Sequence, residues 1–290
     1  MCRLFGLHAG GEDVDATFWL LDAPVSIAEL SHRNADGYGL ATFDSDGELA
    51  VVRAPIRAAD DEQFAAAARA THAAVHLAHV RYADTGAVSE ANTHPFMLDG
   101  RAFAHNGVVS DLDELDRRLG AERPLVQGQT DSERFYALMT VAIREHEGDV
   151  RAGIIATTEM LARDITLYSL NFLLAAPGHL WAFRYPEHND LWLLARGPGG
   201  PRGNQPLDEH SAHGTIRMRA RAGTRRPLIV VASEPMDEDL GWEEVASGEL
   251  VHIGPDLEVR REIILDEPPH KPLSLTGRAA DSQVQERQGD

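Results

Sequence analysis

Cysteine is almost absent. Cys2 is the only one in 290 residues, so an internal disulfide framework is excluded and the composition fits a reducing compartment. Lysine is equally scarce: Lys271 stands alone among 27 basic residues, against 46 acidic ones, for a net charge of −19. That balance argues against a phosphate-backbone partner, because counterion release needs clustered basic side chains and this surface repels nucleic acid. No apolar run approaches the roughly 20 residues of a membrane span, and the N-terminus lacks the basic flank and apolar core of a signal peptide. Together these absences predict a soluble, cytoplasmic protein with no membrane or nucleic-acid partner.

The chain is 43% hydrophobic, enough for a large core. One domain is expected over residues 1–265, with a flexible Gly/Pro/Arg/His-rich loop at 196–226 and a disordered Pro- and Gln-rich tail at 266–290. Strands are expected over 2–8, 40–43, 49–53, 74–82 and 101–107. The run Asp44-Ser45-Asp46-Gly47 marks a hairpin between the second and third of these. Helices are expected over 60–73, 111–119, 129–146 and 149–164, with Asp111 near a cap. Strands then return at 170–176, 180–184, 191–195, 227–233, 249–253 and 257–264. Two consecutive helices after strands suggest a helical layer over a sheet.

The chemistry-bearing residues begin at the N-terminus. If the initiator methionine is removed before the small Cys2, one residue carries both a thiol and a free α-amine. The amine, with an ordinary pKa of roughly 7.7–8.0, can take the thiol proton near neutral pH. Taken alone, Cys2 also reads as a small half-buried hydrophobe. His72, His76 and His79 are close in sequence, but a change from helix to strand between them spoils a shared ligand face, and core or boundary positions are expected. Asn106-Gly107 alone reads as a hairpin turn. Asp131 alone reads as a helix cap, and Arg81 as a solvated strand-end charge.

Read together, Cys2, His79-Val80-Arg81-Tyr82, Asn92-Thr93-His94-Pro95-Phe96, His105-Asn106-Gly107 and Thr130-Asp131-Ser132-Glu133 resemble the class II glutamine amidotransferases. These are N-terminal-nucleophile (Ntn) hydrolases, and the likeness is to their stand-alone branch without a synthase domain. A weaker likeness continues through Ser233-Glu234-Pro235-Met236. The resemblance implies an α+β fold, an αββα four-layer sandwich, and neither cofactor nor metal. It implies that Cys2 attacks the side-chain amide of glutamine with its own amine as base, and that Asn106 and the Gly107 N–H form the oxyanion hole. Arg81 then holds the α-carboxylate, Asp131 the α-ammonium, and His94 lines the pocket or orders its loop. Arg33 and Tyr82 are supporting candidates, although Arg33-Asn34-Ala35-Asp36-Gly37 departs from the family's Arg-Gly-Pro-Asp-Gly. The leading substrate is glutamine, and the ammonia-accepting chemistry is absent, in a synthase of another subunit, or unnecessary. The alternatives are a γ-glutamyl conjugate, as in the branch acting in ergothioneine biosynthesis, and a non-catalytic glutamine-binding regulatory module.

Overall fold

The structure is a computed structural model. It describes residues 2–83, 85–197, 226–277 and 280, together with the backbone of a hairpin at Leu207–His210 and Arg217–Ala220. The rest of the expected 196–226 loop, and residues 281–290 of the expected tail, lie outside the described residues.

Thirteen strands build two fully antiparallel sheets. In chain order they are β1 (Arg3–His8), β2 (Tyr38–Phe43), β3 (Leu49–Ala54), β4 (Val75–Val80), β5 (Phe96–Leu98), β6 (Arg101–Val109), β7 (Leu167–Ala176), β8 (His179–Arg184), β9 (Trp192–Arg196), β10 (Leu228–Ala232), β11 (Trp242–Glu244), β12 (Glu249–Ile253) and β13 (Val259–Ile263). The seven-stranded sheet runs β11-β9-β10-β1-β4-β2-β3, and the six-stranded sheet runs β13-β12-β8-β7-β6-β5. The helices are α1 (Ile27–Leu30), α2 (Glu62–Ala70), α3 (Leu112–Leu119), α4 (Asp131–Glu145) and α5 (Val150–Asp164).

Alternation along the strands sorts the apolar residues into three layers. Leu4, Leu77, Ala104, Leu173, Ala182 and Val231 meet between the sheets. Phe103, Phe172, Phe183, Phe135 and Leu161 join the six-stranded sheet to α4 and α5. Phe5, Leu7, Leu40, Val230, Phe64 and Trp19 join the other sheet to α2 and the short helical turn Phe18–Asp22. This is the four-layer αββα arrangement.

One expectation needs correction. The ordered body continues past residue 265: Leu167 N–H donates to Lys271 O at 3.1 Å, Leu273 N–H to Leu167 O at 2.8 Å, and the Tyr185 hydroxyl to Glu267 O at 2.9 Å. Proline at 268, 269 and 272 pre-sets an extended backbone, so this Pro-rich stretch lies along the start of β7. Asp111 stands at the N-cap position of α3 as expected, in a left-handed backbone (φ 60°), with its carboxylate accepting from Thr166 N–H at 3.3 Å instead of from a helix N–H.

Candidate active site

The seven-stranded sheet places the nucleophile candidate. β1 pairs with β4 so that Arg3 faces Val80, which brings Cys2 beside Arg81 and Tyr82 at the adjacent strand end. Tyr82 N–H donates to Cys2 Sγ at 3.3 Å, and the thiol faces Tyr82 O at 3.6 Å. Tyr82 thus supports Cys2 through its backbone, which holds the sulfur in either protonation state. The other end of β1 leads to Gly10, which packs on Pro255 beside Gly178, while Gly6 sits over Leu173 and Leu180. Following β1 and β7 back from those contacts puts Cys2 at the same end of the sandwich as Asn106 and Ser169.

Asp36, in the Arg33–Gly37 stretch, anchors the neighbouring chain. Asp36 Oδ2 accepts from Ala83 N–H at 2.8 Å, Asp36 N–H donates to Arg81 O at 3.0 Å, and Arg81 N–H donates to Gly37 O at 2.7 Å. The Asp36-Gly37 turn therefore fixes the segment that carries Arg81 and Tyr82. Arg33 is exposed after α1, and among the described residues the guanidinium that reaches Cys2 belongs to Arg3, through a 3.1 Å bond to Cys2 O.

Arg81 is buried, and its guanidinium organises its own loop: Nη1 donates to Ala87 O at 3.1 Å and Nη2 to Thr85 O at 2.8 Å. Ala87 N–H in turn donates to Gln129 Oε1 at 3.1 Å, and Gln129 N–H to Asn92 Oδ1 at 2.7 Å. These bonds lace the Arg81 loop to the segment that opens α4. Asp131 is not the cap of that helix. Thr130 is, with its hydroxyl accepting from Glu133 N–H at 3.2 Å. Asp131 Oδ2 instead accepts from Val109 N–H at 2.8 Å. Burial raises the Asp131 pKa above the usual carboxylate value, and the groups that oppose this shift are N–H and hydroxyl donors, with no cation among them. A carboxylate only 4% exposed under these conditions favours a cationic partner.

Asn106 and Gly107 lie within β6, opposite Asn171 and Leu170 of β7, so the hairpin-turn alternative is overturned. Both strands continue through the site because their alternation matches the sandwich. Asn106 O accepts from the Ser169 hydroxyl at 3.1 Å and from Asn189 Nδ2 at 3.4 Å, while Asn189 Nδ2 also donates to Ser169 Oγ at 2.7 Å. One end of the Asn106 carboxamide is buried without a partner among the described residues. Glycine is required at 107, where a Cβ would lie 2.0 Å from Ser169 O. Sequence reading missed Ser169 and Asn189. Asn189 adopts a left-handed backbone (φ 61°), a conformation that asparagine tolerates, but nothing local ties it to Asn106.

Histidines fill the space beneath. His105 Nε2 donates to Ser169 O at 3.2 Å, which leaves Nδ1 to accept from the Ser132 hydroxyl at 2.9 Å. His94 is buried, with its ring 4.2 Å from His79 and 4.5 Å from Phe96, and its carbonyl packs on Gly39. It orders the core under the loop. Burial, then the neighbouring His79, His105 and Arg81, hold the His94 pKa well below the usual histidine value, and burial pushes that of His79 down to about 3.

Comparisons with known proteins point to one family. The family model described as class II glutamine amidotransferases matches residues 1–271. An uncharacterized protein of Methanocaldococcus jannaschii is 28% identical over 295 residues, covering 93% of this chain and 77% of its own. The isomerizing glutamine–fructose-6-phosphate aminotransferase of Agrobacterium fabrum is 32% identical over 148 residues, covering 51% of this chain and 23% of that enzyme. The chain thus matches about a quarter of the aminotransferase's length. A solved class II glutamine aminotransferase domain protein from Silicibacter pomeroyi, 20% identical, superposes with a TM-score of 0.59 over 91% of this chain and 100% of its own, a likeness of fold. The chain belongs to the class II glutamine amidotransferases, enzymes that act on the amide C–N bond of glutamine.

Proposed function

We propose that the protein hydrolyses the side-chain amide of glutamine through a γ-glutamyl thioester on Cys2. In this reading methionine is removed, and the Cys2 amine takes the thiol proton as Sγ attacks the amide carbon. The resulting oxyanion accepts hydrogen bonds from the Asn106 carboxamide and Gly107 N–H. As the C–N bond breaks, the amine returns the proton to the departing nitrogen and ammonia leaves. Water, deprotonated by the same amine, then attacks the thioester and releases glutamate and the free thiol.

The observation that carries this reading is the buried Asp131 carboxylate, supplied with N–H donors and, among the described residues, no cation, on the helix laced to the Arg81 loop. A substrate bearing both an α-ammonium and an α-carboxylate answers both groups and is delivered with its far end at Cys2. Arg81 meets the carboxylate with the guanidinium that also holds its loop.

The test is release of glutamate and ammonia from glutamine by native protein whose mass confirms that it begins at Cys2. Glutamine turnover that is lost in Cys2→Ala, with a thioester adduct trapped in the unsubstituted protein, is expected. Turnover that survives Cys2→Ala would refute the nucleophile assignment. Turnover of γ-glutamyl amides but not of glutamine would move the assignment to conjugates.

A further inference from the structure

The Ser233-Glu234-Pro235-Met236 segment after β10 is not used by the chemistry above, yet it is bonded to the start of β1. Ser233 Oγ accepts from Leu4 N–H at 2.9 Å, and Ser233 N–H donates to Leu4 O at 3.1 Å. Arg3 Nε donates to Glu234 Oε1 at 2.6 Å, while Arg3 Nη1 donates to Cys2 O at 3.1 Å. Glu234 therefore holds the side chain that holds the Cys2 carbonyl.

The segment is itself anchored. Met236 is fully buried and its carbonyl accepts from Val25 N–H at 3.3 Å. Further on, Asp237 and Asp239 grip the Arg196 guanidinium at 2.7 and 2.9 Å, and Asp237 accepts from Trp242 Nε1 at 2.9 Å. Arg196 also lies 5.0 Å over the Trp19 ring. Burying three charges is costly unless their geometry is well satisfied, and here they are spent on fixing one loop.

A nucleophile at the first residue has a problem that other catalytic cysteines lack: no residue precedes it. Rotation about its Cα–C bond turns the amine and the thiol together relative to the sheet, so a fixed peptide plane and a held sulfur together set where both groups point. The sulfur is held by Tyr82 and the carbonyl by Arg3. We propose that Glu234, with Ser233, is a positioning residue that fixes the direction of the Cys2 thiol and amine through Arg3 and Leu4. This rests on Cys2 being the nucleophile. The pair joins a buried Arg3 to a partly exposed Glu234, so Glu234→Gln, which keeps an acceptor for Arg3, separates positioning from folding.

The test is Glu234→Ala in the processed full-length chain, with Glu234→Gln as the conservative variant whose carbonyl can still accept from Arg3. Misdirection of a nucleophile lowers kcat by about 10- to 100-fold. KM for glutamine should move less than about twofold, because the substrate's zwitterionic end is held elsewhere. Alkylation of Cys2 by iodoacetamide at neutral pH should slow in Glu234→Ala, and both rates should recover in Glu234→Gln. Unchanged kcat, or kcat and KM altered together without recovery in Glu234→Gln, would overturn the proposal. If Glu234→Ala does not fold, Ser233→Ala carries the same expectation and the same refutation. Cys2→Ala distinguishes the two levels: an active Cys2→Ala removes the nucleophile itself, whereas an inactive Cys2→Ala beside a fully active Glu234→Ala removes only the positioning role.

Discussion

Acid should unfold this protein well above the carboxylate range. His76, His79 and His94 are buried at 0%, 0% and 3% exposure, and burial is the largest cause of each lowered pKa, to about 4 for His76 and about 3 for His79. In the unfolded chain all three return to the ordinary value of about 6.5. Below that value the unfolded state binds protons that the folded state refuses, so stability falls as pH falls. Between pH 7.5 and 5.5 each such histidine costs about 1.4 kcal/mol, or about 4 kcal/mol together. That is a large share of the roughly 5–15 kcal/mol that holds most domains folded. Asp131 works the other way, since its raised pKa makes the folded state the better proton acceptor, and it offsets part of the loss. Urea unfolding followed by tryptophan fluorescence at the two pH values measures the difference. In His76→Gln, whose amide can still donate to Val14 O and Ala73 O, the pH dependence should shrink by the contribution of that one histidine, about 1.4 kcal/mol. A midpoint that is unchanged or higher at pH 5.5, or a His76→Gln variant with undiminished pH dependence, would refute the reasoning.

Two further outcomes follow from the site. Asn106→Ala should lower kcat by about 10²- to 10³-fold with little change in KM, because a donor to the developing oxyanion acts only in the transition state; steady-state kinetics on glutamine decide it. Asp131→Asn keeps an acceptor for Val109 N–H but removes the charge, so KM should rise by about 10- to 100-fold, the value of a charge-assisted hydrogen bond. Thermal melting should show Tm held or raised in Asp131→Asn, since an uncompensated buried charge is lost, and an unchanged KM would detach Asp131 from the substrate.

Much of the framework was legible. Asp44-Ser45-Asp46-Gly47 makes the β2–β3 turn, with Gly47 at φ 84°, and the strand alternation defines faces that the two sheets bury. Long-range pairings were not legible. Asn106-Gly107 has the composition of a turn, and only pairing with Asn171 and Leu170 of β7 keeps it in a strand. Glu234 meets Arg3 across 231 positions, and Asn189 reaches Asn106 across 83, separations at which no periodicity survives. One local signal was simply missed: Thr130 followed by Glu133 has the spacing of a capping box, which would have freed Asp131 from the capping role in advance.

The position of β1 has a consequence for the order of events during synthesis. The five motifs that chiefly carry the family resemblance lie before residue 136, yet β1 sits between β4 and β10, and β10 is made from residues 228–232. A ribosome must add more than two hundred residues after Cys2 before the strand bearing it can be enclosed on both sides. Throughout that interval the N-terminus lacks its second neighbour and is open to an aminopeptidase. In the proposed mechanism the fold thus schedules maturation: methionine is to be removed while β1 is still an edge, and arrival of β10 then closes the sheet around the proposed nucleophile.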